Sequence, residues 1–94
     1  MENYARINKV GYVGDVIIQS KNEVLKDDYV DVEVHQDYIK ISRTGLSQNS
    51  SHKKVTHRKD GVNTFGIRDE SIPQGKFYID EEDSNEDEIY INLI

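Results

Sequence analysis

The chain has 94 residues, with 18 acidic side chains against 12 basic ones, no cysteine and one proline. A chain of this length supports one domain with a small core. The lack of cysteine excludes disulfides, thiolate metal ligands and a cysteine nucleophile, and no apolar run approaches the ~20 residues that cross a bilayer. The composition therefore predicts a small acidic protein without a membrane partner, which we expect in the cytoplasm of a bacterial or phage-infected cell.

The net charge of −6 is unevenly distributed along the chain. Residues 1–39 carry four basic and eight acidic side chains, residues 40–59 carry six basic and no acidic ones, and residues 60–94 carry two basic and ten acidic ones. Charges more than about 8 Å apart are largely screened at physiological ionic strength. The cationic middle and the anionic end can therefore act on different partners.

Alternation of apolar and polar residues predicts β-strands through most of the chain. In chain order these are short N-terminal strands within 7–18, a hairpin over 30–41 with its turn at 35–37, an apolar piece at 62–67, and a second hairpin over 77–93 around an acidic loop at 81–88. A two-turn helix is predicted for 19–26, with Ser20 as N-cap and Glu23 three residues later. We expect an all-β or β-dominated α+β fold with two antiparallel hairpins, short N-terminal strands and at most one short helix.

The serine-rich stretch 42–54 predicts a mobile loop, although a hairpin loop folded against the sheet is an alternative. The segments 16–41 and 64–91 share one order of elements: apolar strand, polar connection, alternating strand, turn and alternating strand. We expect one small domain over residues 1–94. The alternative is two pseudo-repeated halves, 6–43 and 55–94, joined by a polar basic loop at 44–54. Common hairpin patterning explains the shared order of elements as well as a duplication does.

One stretch resembles a known family. The pieces Gly14–Ile18, Asn22–Leu25, Asp28–Val34 and Tyr38–Ile41 resemble the swapped-hairpin domains of the AbrB and MazE type, over residues 6–43. The resemblance implies a strand, a short helix and a hairpin whose first strand is acidic. It also implies an obligate dimer that binds DNA through basic residues on paired hairpins, or a pseudo-dimer if both halves are such units.

The stretch from Asp80 to Glu88 holds seven carboxylates in nine residues. An EF-hand needs a glycine for its sharp turn, and this stretch has none, which argues against calcium. Carboxylates along a hairpin can instead imitate nucleic-acid phosphates in a basic groove, with neighbouring tyrosines as anchors; an exposed loop that only aids solubility is the alternative. The predicted partner-binding residues of this acidic pole are Tyr78, Asp80, Glu81, Glu82, Asp83, Glu86, Asp87, Glu88 and Tyr90.

The cationic middle of the chain is the other candidate site. Its side chains can neutralise phosphates and give binding that weakens steeply with salt. No aromatic residue lies within residues 40–59 near these cations, so a stacking platform for single strands is not predicted there. A solvated loop is the alternative. The predicted nucleic-acid contacts of this basic pole are Arg6, Lys9, Arg43, Lys53, Lys54, Arg58 and Lys59.

Catalytic signals are weak. His35, His52 and His57 lie in polar stretches without a nucleophile motif or a third ligand at metal spacing. We therefore expect no enzyme activity, no metal and no cofactor.

The sequence favours an acidic inhibitor that fills the basic nucleic-acid groove of a partner protein. Small phage-type inhibitors of restriction or CRISPR nucleases are similar in size, acidity, lack of cysteine and tyrosine content. The alternative is an AbrB- or MazE-like DNA-binding regulator or antitoxin. The sequence does not decide between a monomer and a dimer.

Overall fold

The computed structural model describes residues 4–19, 23–43, 51–59 and 61–93. Over these residues the chain forms nine β-strands and one 3₁₀ turn, Glu23–Lys26. The strands are β1 (Tyr4–Val10), β2 (Val13–Gln19), β3 (Tyr29–Val34), β4 (Tyr38–Arg43), β5 (Ser51–Lys54), β6 (Thr56–His57), β7 (Asn63–Arg68), β8 (Gly75–Tyr78) and β9 (Glu88–Asn92). Strand is the predominant structure of these described residues, and no helix of seven or more residues occurs among them, which confirms the β-dominated fold class. None of the described elements is a helix long and apolar enough to cross a membrane.

The strands form two antiparallel sheets that share one core. The five-stranded sheet has the order β6-β7-β2-β1-β8, and the four-stranded sheet has the order β5-β3-β4-β9. In β1, β2, β7 and β9, alternate residues are buried between the sheets, as the period of two requires. The core is almost entirely aliphatic; its fully buried members include Ile7, Ile18, Ile39, Ile41, Ile89 and Ile91.

The two sheets are joined along both lateral edges. On one side the chain passes from β5 to β6 through the single buried residue Val55, whose amide donates to the carbonyl of Asp28 over 2.8 Å. On the other side an isolated antiparallel bridge pairs Ile79, just after β8, with Ile91 of β9. These junctions lead hydrogen bonding from one sheet into the next, which limits the exposed strand edge.

The first predicted hairpin is present. Val32 lies opposite Ile41 and Val34 opposite Ile39 across β3 and β4. The turn at 35–37 is closed by the amide of His35, which donates to the carbonyl of Tyr38 over 2.9 Å.

The second predicted hairpin is wrong in its pairing. β8 pairs with β1 in the five-stranded sheet, whereas β9 pairs with β4 in the four-stranded sheet. Only the Ile79–Ile91 bridge connects the two among the described pairings. The alternation of each strand was read correctly, but alternation identifies the buried face of a strand and not its neighbour. The acidic segment between them carries the chain from one sheet to the other.

Two further expectations change. Residues 51–54, expected within a mobile loop, form β5 on β3, and they give the backbone of β3 hydrogen-bond partners on its second side. The expected helix is the single 3₁₀ turn, which buries Val24 and Leu25. Its predicted N-cap, Ser20, and residues 44–50 lie outside the described residues. Both halves contribute strands to both sheets, and the pseudo-repeat stays a prediction.

Candidate binding surfaces

The acidic segment, residues 80–88, begins with a turn capped by Asp80. One carboxylate oxygen of Asp80 accepts the amides of Glu82 at 3.0 Å and Asp83 at 3.2 Å, and its carbonyl accepts the amide of Ser84 at 3.0 Å. The Ser84 hydroxyl oxygen in turn accepts the amide of Tyr90 at 3.0 Å. Aspartate favours such local bonds to the backbone, so the first half of the segment is a closed turn anchored to β9.

A second turn follows, capped by Asn85. Its amide oxygen accepts the amides of Asp87 at 2.8 Å and Glu88 at 3.1 Å, while its own backbone amide donates to the Glu88 carbonyl over 2.8 Å. The predicted acidic loop is therefore two successive turns closed by their own side chains.

The two carboxylates nearest β9 are neutralised within the chain. Glu88 accepts a hydrogen bond from Lys40 over 2.8 Å, and Asp87 lies 3.6 Å from the guanidinium of Arg43. The Lys40 hydrogen bond lowers the pKa of the Glu88 carboxyl and raises the pKa of the Lys40 ammonium. The carboxylates at positions 81, 82, 83 and 86 are exposed.

The two tyrosines predicted as anchors lie on different sheets. Tyr78 is 54% exposed on β8, whereas Tyr90 on β9 packs against Tyr38 with ring centroids 5.8 Å apart. His35 also stacks on Tyr38, with ring centroids 4.3 Å apart. Burial is the largest of the causes that raise the pKa of Tyr90. Only Tyr90 therefore shares a surface with the Asp80 turn.

A cleft of about 360 Å³ opens beside this tyrosine pair. Its lining residues are Asp37, Tyr38, Asp80, Asp83, Tyr90 and Asn92. Sequence reasoning missed Asp37 and Tyr38. The predicted turn at 35–37 held the signal, but only the pairing of Tyr38 with Asn92 across β4 and β9 brings that turn to the acidic segment.

The predicted basic pole does not form one patch. Arg43 lies 3.9 Å from Asp27 as well as close to Asp87, and Lys9 donates to the carbonyl of Glu70 over 2.8 Å. Lys53 and Lys54 belong to β5, in the four-stranded sheet, and Lys59 follows β6 in an exposed turn. Of the seven predicted contacts, Arg6 and Arg58 are the two that line a common groove.

That groove, of about 230 Å³, lies on the outer face of the five-stranded sheet. Its lining residues are Tyr4, Arg6, Asn8, Ile17, Gln19, Arg58 and Val62. The Tyr4 hydroxyl donates to the side-chain oxygen of Gln19 over 3.1 Å. Lys76 of β8 adds a further cation, with its ammonium 4.4 Å from the centroid of the Tyr4 ring. Sequence reasoning missed Tyr4 and Lys76, which stand far apart in the chain.

A third cleft, of about 480 Å³, separates β3 from β7 beyond the end of β5. Both signs of charge line it: the acidic side chains are Glu33 and Asp69, and the basic ones are His35, Lys53 and Arg68. Within the described residues, no group of three or more histidine, aspartate or glutamate side chains is arranged to hold a metal ion.

Comparison with known proteins finds no relative. No protein-family model matches the sequence, and neither the curated proteins nor the solved structures contain a significant match. Function must therefore be argued from these surfaces alone.

Proposed function

We propose that this chain is a non-enzymatic binding protein whose acidic segment occupies the basic nucleic-acid groove of a partner protein. The observation that carries this proposal is the pair of turns capped by Asp80 and Asn85. They hold the exposed carboxylates of the segment in place before any partner binds. Association then loses less conformational entropy than it would for a flexible acidic loop.

The surroundings of the segment fit a cationic partner. Tyr38 and Tyr90 form one wall of the neighbouring cleft, and Asp37, Asp80 and Asp83 supply negative charge to it. An arginine or lysine of the partner can place its charge near these carboxylates and against a ring face. The exposed carboxylates steer the encounter. An inhibitor of a restriction or CRISPR nuclease is one protein class that this chemistry serves.

An AbrB- or MazE-like DNA-binding regulator is the alternative proposal. The dispersal of the basic pole makes it the weaker one, because duplex phosphates need several cations on one continuous face. Arg43, in particular, lies beside Asp27 and Asp87.

Affinity capture from a nuclease-treated lysate of the native cell tests the proposal. The bait is the tagged chain, the double variant Glu82→Lys/Glu86→Lys, and the matched control Asp28→Lys/Glu70→Lys. Both doubles reverse two exposed carboxylates, so they change the net charge equally. We expect a basic protein to be retained by the wild type and the control but lost with Glu82→Lys/Glu86→Lys. Equal retention by all three baits, or loss of every partner on nuclease treatment, contradicts the proposal.

A further inference from the structure

The outer face of the five-stranded sheet carries two cations in direct opposition. Arg6 on β1 and Lys76 on β8 are register partners in an antiparallel pair. Side chains at such positions lie about 4.5–5.5 Å apart at Cβ, and like charges there destabilise a sheet. Among the described ion pairs, no carboxylate neutralises either residue. An anionic ligand between them would remove this repulsion.

Two tyrosines adjoin the same cations. Tyr4 and Tyr78 are the next register pair along β1 and β8, and their inward neighbours Ala5 and Phe77 pack in or against the core. Their rings therefore share the outer face with Arg6 and Lys76. The Lys76 ammonium lies 4.4 Å from the Tyr4 centroid and 5.6 Å from that of Tyr78, so cation and aromatic surface are already in contact.

We propose that this face, defined by Tyr4, Arg6, Arg58, Lys76 and Tyr78, binds single-stranded nucleic acid. Aromatic side chains on which bases stack, beside a cationic groove that follows the backbone, are what such binding requires. The groove between Tyr4 and Arg58 adds amide groups from Asn8 and Gln19, which can pair with base edges. This site is independent of the acidic segment and goes beyond the proposed function.

A single strand fits this face better than a duplex. The two rings lie on the flat side of a sheet, and an intact duplex hides its base faces within the stack. Bases of a single strand can unstack and lie against tyrosine. An acidic peptide would satisfy the cations but would make little use of the exposed ring of Tyr78.

The test is a fluorescence anisotropy titration of labelled dT12, U12 and a 12-base-pair duplex at 50 and 200 mM salt. Two matched pairs of variants separate the contributions. Arg6→Ala/Lys76→Ala is compared with Lys26→Ala/Arg68→Ala, since all four cations are exposed. Tyr78→Ala is compared with Tyr12→Ala, since these rings are 54% and 57% exposed. Circular dichroism checks that each variant is folded.

We expect saturable binding of dT12 and U12 that exceeds binding of the duplex. Tyr78→Ala should weaken it about 5- to 150-fold through lost stacking. Arg6→Ala/Lys76→Ala should weaken it and reduce the salt slope by about 1.4, which is two single-strand phosphates. The affinity of both control variants for dT12 and U12 should stay within about twofold of the wild type. Glu82→Lys/Glu86→Lys should also retain binding, because this site is independent of the acidic segment and of whether that segment has a partner.

Several results would overturn the inference. They are no saturable binding at 50 mM salt, equal affinity for duplex and single strand, or equal losses in a variant and its matched control. Preferential binding of a hexaglutamate peptide would instead assign the face to an acidic protein. Self-association that Arg6→Ala/Lys76→Ala abolishes, measured by sedimentation, would assign it to a second copy of this chain.

Discussion

Lys40 on β4 donates to the carboxylate of Glu88 at the start of β9 over 2.8 Å, and Glu33 on β3 lies 3.6 Å from the same ammonium group. The lysine thereby links three adjacent strands on the outer face of the four-stranded sheet. Glu88, the last carboxylate of the acidic segment, is therefore occupied by a contact within the protein. The exposed carboxylates before it, such as Glu82 and Glu86, remain available to a partner.

Replacing Lys40 by methionine should raise the pKa of Glu88 toward its ordinary value of about 4.5, because the hydrogen bond that lowers it is lost. Methionine keeps the aliphatic stem, so packing is preserved. At neutral pH the free energy of unfolding should fall by about 0.5–1 kcal/mol, the size of a partly exposed ion pair. Carboxyl-carbon NMR of Glu88 and urea unfolding measure the two effects.

The pH dependence of this difference has a defined sign. A lowered carboxyl pKa stabilises the fold above the ordinary value, and that stabilisation is lost as pH falls through the lowered pKa. A raised lysine pKa stabilises the fold below 10.5 and is lost as pH rises through the raised value. The free energies of unfolding of the wild type and Lys40→Met should therefore differ most between about pH 4.5 and pH 10.5, the ordinary pKa values of the two groups. A constant difference from pH 3 to pH 7 contradicts the assignment.

Replacing Asn85 by alanine should loosen the second acidic turn without changing its charge. The amides of Asp87 and Glu88 lose their acceptor, so their hydrogen exchange should accelerate and the affinity for a cationic partner should fall. Asn85→Asp is the matched control, because it keeps an acceptor and adds a negative charge. If Asn85→Ala binds as well as the wild type does, preordering of the segment contributes nothing.

Strand positions could be predicted well because alternation depends only on local sequence. Val32, Ile39 and Ile41 were placed correctly on buried faces. The partner of each strand could not be predicted in the same way. Phe77 and Ile89 carry the same alternation whether β8 pairs with β9 or with β1, so alternation alone does not reveal that β8 pairs with β1.

The candidate surfaces show the same limit. The acidic segment was found because its charges are contiguous in the chain. The candidate nucleic-acid face on the five-stranded sheet was missed because only the pairing of β1 with β8 brings Tyr4 and Lys76 together. The predicted basic pole is dispersed for the same reason, since residues only four positions apart, such as Lys54 in β5 and Arg58 just after β6, belong to different sheets or to the turns beyond them.

Gly11 should not tolerate alanine. It opens the two-residue turn between β1 and β2 with a φ of 64°, a left-handed conformation that glycine adopts without steric cost. We expect Gly11→Ala to lower the free energy of unfolding by about 1 kcal/mol. Gly66→Ala is the control: its added Cβ meets the Asp15 carboxylate at an ordinary 3.7 Å, and we expect no loss. Equal urea midpoints for the two variants would contradict this account.

Ser42 and Ser71 should respond to alanine with opposite signs. Ser42 is 1% exposed, and its hydroxyl has no hydrogen-bond partner, so removing it should raise the free energy of unfolding by about 1 kcal/mol. The Ser71 hydroxyl donates to Asp69 over 2.6 Å and lowers the pKa of that carboxyl. Its removal should be destabilising by about 0.5 kcal/mol. Thermal unfolding compares the two, and destabilisation of Ser42→Ala would show that its hydroxyl is satisfied.

The most direct test of the central claim is displacement of nucleic acid from the captured partner. Labelled nucleic acid is first bound to that protein, and its anisotropy is followed as this chain is added. We expect displacement by the wild type and by Asp28→Lys/Glu70→Lys, and at least a tenfold weaker effect of Glu82→Lys/Glu86→Lys, which corresponds to a loss of about 1.4 kcal/mol in binding free energy. Binding of the partner without any displacement of its nucleic acid would contradict the claim.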